Sequence, residues 1–307
     1  EGKVADVEGY YENAKINRVY VDRVHVKKAF AEYTAAYNAD DPKIKLKIDH
    51  TYRVAALCER IAKAAGMCAY DVELAWLSGM LHDVGRFEQI KRYNTFSDAD
   101  SVDHAKFGAD LLFKDGLIST FLNGMVKCTG YKPGALEDRY SSDGVFLYDR
   151  LNKSDMEMLE LAIRCHNMYR IPQGLNSREQ AFCNVLRDAD KVDIFKVNID
   201  TPLEEIYNTT TEELMKSDIT DEVLEAFDEE HCILKAIRRT PADTVIGHVS
   251  LAYELVYDES VRITVEQGYL EKLMHFHSDN EETNRKMAMV REKMDSYVKK
   301  RIGEKDA

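Results

Sequence analysis

Histidine and aspartate residues that could bind metal ions recur along the chain between residues 50 and 190. They are His50, His82, Asp83, His104, His166 and Asp190. Neutral imidazole and carboxylate are suitable ligands for iron, manganese, zinc and similar divalent ions. Four histidines and two aspartates suit two ions better than one. Because Asp83 directly follows a histidine, we expect its two oxygens to bridge the two ions.

A pair of such ions would support hydrolysis without a serine or cysteine nucleophile. Ions about 3.5–4 Å apart can hold a bridging hydroxide, which attacks phosphorus while the ions bind a phosphoryl oxygen. Cys165 lies beside His166, but adjacent side chains on a helix diverge, so core packing explains this cysteine better than nucleophilic catalysis. Each histidine alone is equally well explained as a packed residue. The ordered set, with L-H-D at a helix end, favours a metal site.

Each candidate ligand falls on a segment predicted to be a helix. Apolar residues at helical spacing accompany His50 as far as Gly66. A second helix starts near Asp71, carries His82 on its core-facing side and is stopped by Gly85.

The later ligands follow the same pattern. A polar loop, 92–103, precedes the helix of His104. Capping-box patterns open the next two helices, which carry His166 and Asp190. The capping pairs are Ser154 with Glu157 and Asn176 with Glu179. The gaps between ligands are long enough for a helix to leave and return, so all can converge in one bundle core.

The remaining sequence is also mainly helical, because prolines and glycines are sparse. Residues 1–23 are ambiguous, and 129–150 are predicted to form a long irregular loop. Further helices are predicted at about 211–216, 221–239, 242–258, 264–277 and 279–302. We expect an all-α protein with a metal-binding core over 1–200, including an N-terminal extension. We expect residues 201–307 to form a C-terminal helical region that is packed on that core or continuous with it.

The composition excludes several classes of partner. A formal net charge of −13 argues against a broad electropositive surface for duplex nucleic acid. No apolar run approaches the roughly 20 residues that span a bilayer, and no signal peptide is visible. The six cysteines form no C-x-x-C pair. We expect a reduced, cytoplasmic protein without a membrane partner, and a homo-oligomer remains open.

Five short segments resemble the HD superfamily of metal-dependent phosphohydrolases. The segments are H-T-Y-R-V-A from His50, L-H-D-V-G-R from Leu81, H-A-K-F-G-A from His104, A-I-R-C-H up to His166 and D-A-D-K from Asp188. The second resembles the signature of that superfamily, and the third is similar to the H-A-x-x-G-A of its two-metal members. The resemblance covers roughly residues 45–198, and the motifs are specific as a set.

The resemblance implies an HD-domain helical bundle with additional C-terminal helices. It implies hydrolysis of phosphoester or phosphoanhydride bonds, often in nucleotides, so the expected partner is a small phosphorylated substrate. The first metal ion would be bound by His50, His82, Asp83 and Asp190, and the second by Asp83, His104 and His166. The expected cofactors are two divalent transition metal ions, iron or manganese first, with zinc, nickel, cobalt or magnesium as alternatives.

Asp188 is the alternative to Asp190 as a ligand. A separation of two residues rotates a side chain about 200° around a helix, so the two carboxylates cannot share a face. Ala189 directly before Asp190 matches the family pattern, and we prefer Asp190.

Three cations near the motifs are candidates for contacts with a substrate phosphate. Arg86 lies just past the metal-binding helix and would stabilise developing charge, which makes it a catalytic candidate together with Asp83. Arg53 is one turn beyond the first histidine, and Lys106 lies in the H-A-x-x-G-A segment. Each is also explained as an ordinary surface or helix-end charge.

Departures from the family patterns narrow the subfamily. The sequence after His82 is not the H-D-x-x-E-D of guanosine tetraphosphate hydrolases. Asn167 stands where HD-GYP cyclic dinucleotide phosphodiesterases have a second histidine. The ligand pattern is nearest to that of two-metal diadenosine tetraphosphate hydrolases, which the long C-terminal region fits poorly.

Two other functions are compatible with these residues. Some HD-fold proteins that resemble this ligand set are di-iron oxygenases acting on polyols or phosphonates. The other is a nucleotide-sensing module without turnover, although an intact ligand set argues against it. Arg86 and the H-A-x-x-G-A segment favour hydrolysis. Substrate choice would depend on loops 92–103 and 129–150 and on the C-terminal helices.

The remaining acidic clusters and histidines are expected to be ordinary. The acidic residues Asp98, Asp100 and Asp103 are predicted to form a solvated face and caps, as is the run 228–230. No catalytic role is predicted for His25, His231, His248, His275 or His277.

Overall fold

The computed structural model describes residues 17–18, 21–38, 40–122, 127–129, 146–147 and 153–303. Helices make up nearly all of the regular structure in these residues, which confirms the predicted all-α fold. Contacts between residues divide the chain into two compact units. The first contains residues 1–52 and 68–183, and the second contains 53–67 and 184–307.

Eight α-helices lie wholly or partly in the first unit. They are α1 (Arg23–Thr34), α2 (Pro42–Ala64), α3 (Ala69–Leu81), α4 (Val84–Tyr93), α5 (His104–Ala109), α6 (Ile118–Leu122), α7 (Lys153–Cys165) and α8 (Ser177–Asp200). Asp103 caps α5 by accepting from the backbone N–H of Lys106. At the start of α8 the backbone N–H groups of Asn176 and Glu179 each donate to the other residue's side chain at 2.9 Å, which confirms the predicted capping box.

Aromatic side chains fix α1 against the start of α4. The rings of Phe30 and Tyr33 each meet Phe87 edge-on, with centroids 5.9 Å apart. The Tyr33 hydroxyl also donates to the carbonyl of Val84 at 3.0 Å. Phe30 and Phe87 are fully buried, and each such side chain contributes roughly 1.5–3 kcal/mol. The residue after Asp83 is therefore held both by packing and by a hydrogen bond.

Gly85 lies inside α4, so the prediction that it stops α3 was wrong. A Cβ at Gly85 would fall 2.5 Å from the carbonyl oxygen of His104 and 2.7 Å from the nitrogen of Gly108. Backbone atoms cannot move aside as a flexible side chain does. The close approach of α4 and α5, rather than a helix end, is the reason for glycine here.

Among the described residues, β structure is limited to a small antiparallel sheet. Its strands, in spatial order, are β1 (Asn17–Arg18), β2 (Lys127–Thr129) and β3 (Phe146–Leu147). β1 lies in the segment 1–23 that was ambiguous, and β3 lies in the predicted loop 129–150. Strands this short leave no periodic pattern, because pairing with a distant segment forms them. The rest of that predicted loop lies outside the described residues.

The second unit has its own apolar core. Its further helices are α9 (Leu203–Tyr207), α10 (Thr211–Lys216), α11 (Asp221–Asp228), α12 (Pro241–Val249), α13 (Asp258–Gln267), α14 (Tyr269–Met274) and α15 (Glu281–Ile302). Phe195 on α8, Phe227 on α11 and Met287 on α15 are among the buried residues of one apolar cluster.

Two predicted helices of the second unit are shorter than expected. The helix predicted over 221–239 ends at Asp228, because Glu230 adopts a left-handed backbone with φ of 53°. The helix predicted over 242–258 ends at Val249, where a 3-10 turn, Ser250–Glu254, takes over. Among the described residues, no helix combines the length and the apolar content that crossing a membrane requires.

The glycine contact between α4 and α5 gives a first prediction. Gly85→Ala should lower the free energy of unfolding by about 1–3 kcal/mol or more, because the added methyl group meets backbone on two sides. Gly108→Ala should cost less, since its Cβ would lie 3.0 Å from the Gly85 nitrogen at the nearest. Chemical denaturation of both variants tests this order, and equal stability of Gly85→Ala and wild type would contradict it.

Candidate metal centre

Five of the six predicted ligands lie in the first unit, and most are at helix ends. His82 follows the last residue of α3, and Asp83 precedes the first residue of α4. His104 opens α5, His166 directly follows α7, and His50 lies within α2. Each of these residues is at most 4% exposed, so the structure brings five polar groups into the interior. Such groups are costly to bury unless they are paired or bind an ion.

The last turn of each helix sets the orientation of two of these rings. Nδ1 of His82 lies 2.7 Å from the carbonyl oxygen of Gly79, and Nδ1 of His166 lies 2.7 Å from that of Ile163. A carbonyl oxygen only accepts, so Nδ1 carries the proton in both rings. Nε2 of each ring then presents a lone pair, which is the form of histidine that binds metals.

His104 has the same tautomer through a different acceptor. Its Nδ1 lies 2.6 Å from Oδ2 of Asp98. Burial opposes a charge on Asp98, but the hydrogen bond from His104 and the nearby Arg86 outweigh it and lower the pKa of Asp98. Burial, with Arg86 again nearby, lowers the pKa of His104 to about 4, so this ring is neutral near pH 7.

The histidine Nε2 atoms meet in two close pairs. His104 and His166 are 3.0 Å apart at these atoms, and His50 and His82 are 3.3 Å apart. In the first pair each Nε2 presents a lone pair, and two lone pairs cannot hydrogen-bond to each other. A shared cation resolves such a contact, which fits a metal ion between the rings.

The two oxygens of the Asp83 carboxylate face different histidine pairs. Its Oδ2 lies 3.6 Å from Nε2 of both His50 and His82. Its Oδ1 lies 3.6 Å from Nε2 of His104 and 3.8 Å from that of His166. Ligand atoms of His82, Asp83 and His166 all lie within 4.8 Å of one another, which suits a bound ion. The donor set of this centre therefore fits divalent metal ions.

Lys47 is a residue of this centre that the sequence did not indicate. Its Nζ donates to Oδ2 of Asp83 at 2.7 Å, and its side chain is 17% exposed. Burial disfavours the charge of Asp83, but Lys47 and the neighbouring His82 and His104 outweigh burial and hold its pKa well below the usual range. The position of Lys47 one turn before His50 was the available signal, because residues three apart share a helix face.

Arg86 lies beside the other oxygen of the shared carboxylate. Its Nε is 3.7 Å from Oδ1 of Asp83 and, among the described residues, has no hydrogen-bond partner. Its Nη1 donates to the Phe96 carbonyl at 2.7 Å, to Asp98 at 2.9 Å and to the Gln89 side chain at 2.8 Å. The bonds of Nη1 thus hold the guanidinium of Arg86 in place, while its Nε lies near the Asp83 carboxylate.

The prediction that Asp98 belongs to a solvated face was wrong. Its carboxylate bonds to His104 and Arg86, whereas Asp103 caps a helix as expected. The loop folds back on the site, and sequence spacing gives no sign of such a tertiary contact.

The other two candidate phosphate contacts have partners of their own. Arg53 forms two hydrogen bonds to Asp193, of 2.6 and 2.9 Å, within the second unit. The side chain of Lys106 is 58% exposed and pairs with Asp103 at 2.8 Å. The role of either cation in substrate binding stays a prediction.

The alternative aspartates on α8 have different surroundings within the second unit. Asp188 is fully buried and accepts from the backbone N–H groups of Val256 and Tyr257 at 3.0 Å and from the Ser260 hydroxyl at 2.7 Å. Its carboxylate is therefore committed to the start of α13. Asp190 is half-buried on α8, and its role as the sixth ligand stays a prediction.

The comparisons with known proteins agree with this geometry. The family model of the HD domain matches residues 48–197, which confirms the resemblance seen in the sequence. No curated protein and no solved structure gives a match.

Metal binding gives a second prediction. Saturation with Mn²⁺ at about a hundred times its Kd should add about 2.7 kcal/mol to the free energy of unfolding and raise the Tm. His166→Ala should lose most of this increase, whereas the exposed control His275→Ala should keep it. Thermal unfolding with each divalent ion and with a chelator measures the effect. A Tm that no ion changes would contradict the site.

The two aspartates of α8 give a third prediction. Asp190→Ala should weaken the binding of one ion in a calorimetric titration. Asp188→Ala should leave both affinities unchanged and lower the free energy of unfolding by about 1–3 kcal/mol, because three donors lose their acceptor. The reverse pattern would make Asp188 the ligand.

Proposed function

Residues 48–197 form an HD domain, the domain of a superfamily of metal-dependent hydrolases, and we propose that this chain hydrolyses a phosphoester or phosphoanhydride bond. The proposed substrate is a small phosphorylated metabolite such as a nucleotide. Two features support it: a carboxylate placed between two pairs of histidines, and a cation beside each carboxylate oxygen. In a chain with a net charge of −13, these two cations, together with bound metal ions, would provide a favourable place for an anion.

The proposal depends mainly on the position of Asp83, whose two carboxylate oxygens face different histidine pairs. Each oxygen faces one histidine pair, so each side offers three ligands to one ion. The remaining aspartate of the predicted set would add a fourth ligand on the first side. When bound, two divalent ions would activate a water molecule and offset the negative charge on the phosphoryl oxygens.

The protein side chains then have separate tasks. Arg86 would donate from its buried Nε to a phosphoryl oxygen, where negative charge spreads during transfer. Its Nη1 bonds to Phe96 and Asp98 keep the guanidinium in that orientation without the substrate. Lys47 balances the charge of Asp83 and keeps that carboxylate ionised.

Substitution of the shared carboxylate gives a fourth prediction. Asp83→Asn should reduce the rate of hydrolysis by at least about a hundredfold, because the amide cannot bind two ions as a carboxylate does. The exposed control Asp115→Asn should keep wild-type activity. The measurement is product formation from phosphomonoesters, phosphodiesters and nucleotides, followed as free phosphate or as the released alcohol or nucleotide, with Mn²⁺, Fe²⁺, Co²⁺, Ni²⁺, Zn²⁺ and Mg²⁺ tested separately.

Two results would overturn the proposal. Normal turnover of Asp83→Asn would remove the metal centre from the reaction. Oxygen uptake that depends on iron and on a polyol or phosphonate, without hydrolysis of any phosphoester or phosphoanhydride, would favour a di-iron oxygenase with the same ligands.

A further inference from the structure

Asp98 lies in the segment between α4 and α5 and bonds to several residues of the metal centre. Its Oδ2 accepts from Nδ1 of His104 at 2.6 Å, and its Oδ1 accepts from Nη1 of Arg86 at 2.9 Å. The side-chain amide of Gln89 donates to Oδ1 at 3.0 Å, and that of Asn167, which follows a predicted ligand, lies 3.3 Å from Oδ2. One carboxylate thus connects His104 with Arg86.

The position of His104 explains why it needs such a partner. His82 and His166 come at the ends of helices, where the carbonyl three residues earlier is available to accept from Nδ1. His104 is the first residue of α5 and has no preceding helical turn to offer that carbonyl. A side chain from outside the helix must supply the acceptor.

We infer that Asp98 is a positioning residue. Its carboxylate holds His104 as the Nδ1–H tautomer, which can bind the second metal ion, and the same Asp98 carboxylate orients Arg86. The inference rests on the proposed function for the roles of that ion and of Arg86. A carboxylate that orients a metal-binding histidine typically changes metal affinity by about 10- to 100-fold. The effect should fall on one ion, because Asp98 bonds to His104, a predicted ligand of the second ion.

The first test uses the metal-free protein and needs no substrate. Nitrogen-15 NMR of histidine-labelled protein distinguishes Nδ1–H from Nε2–H for each ring. In wild type we expect His104 as Nδ1–H, and in Asp98→Ala we expect a shift towards Nε2–H. The exposed Asp100 of the same loop provides the control, Asp100→Ala. An unchanged tautomer in Asp98→Ala would overturn the inference.

The second test is a calorimetric titration with Mn²⁺. Asp98→Ala should lose about 10- to 100-fold in affinity for one ion and less than about threefold for the other. Asp98→Asn should lose less, because an amide oxygen can still accept from Nδ1–H. Equal losses at both ions, or none, would show that Asp98 has only a structural role. If Asp98→Ala does not fold, Asp98→Asn supplies the comparison of the two affinities, with a smaller loss expected at one ion only.

The two tests separate this inference from the proposed function. A wild-type protein that binds no divalent ion would refute the proposed function, while the tautomer of His104 would still report on Asp98. A wild-type protein that binds two ions, with Asp98→Ala behaving identically, would refute the inference alone.

Discussion

The structure depends on one electrostatic constraint, the convergence of imidazole lone pairs on a buried carboxylate. Asp83 is 2% exposed, and four histidine nitrogens lie 3.6–3.8 Å from its two oxygens. A charge in such a position is costly unless opposite charge is close. Lys47 and Arg86 provide part of that charge, one beside each oxygen. The proposed metal ions would provide the remaining positive charge. Helix ends and close backbone packing in the first unit hold the histidines and Asp83 in place.

Helix ends are the means by which the backbone positions the ligands. The last carbonyl groups of a helix lack partners within the helix, and a histidine ring can donate to one of them. His82 and His166 use this bond, so the same contact satisfies a carbonyl and fixes a tautomer. At the start of a helix the exposed groups are N–H donors, which cannot accept from Nδ1. Nδ1 of His104 therefore donates to Asp98, which lies in a loop, and Asp98 in turn accepts from Arg86.

Close packing of the backbone brings these helix ends together. The contact between Gly85 and Gly108 lets the start of α5, with His104, approach the start of α4, with Asp83. The aromatic residues around Phe87 hold α4 on its other side. The spacing between the starts of α4 and α5 matters because metal–ligand bonds tolerate only small changes in distance.

The sequence by itself determined the helical class, the resemblance to the HD domain and the set of metal-ligand candidates, because these depend on residue types and on spacing along the chain. It also gave the capping box of α8, which is a local interaction. It did not predict that Gly85 lies inside a helix, nor the short strands, nor the contacts of Lys47 and Asp98 with the site. These follow from contacts between segments far apart in the chain or from loops that fold back. Only the tertiary structure decided which of the many charged side chains lie against Asp83, because local periodicity carries no record of such contacts.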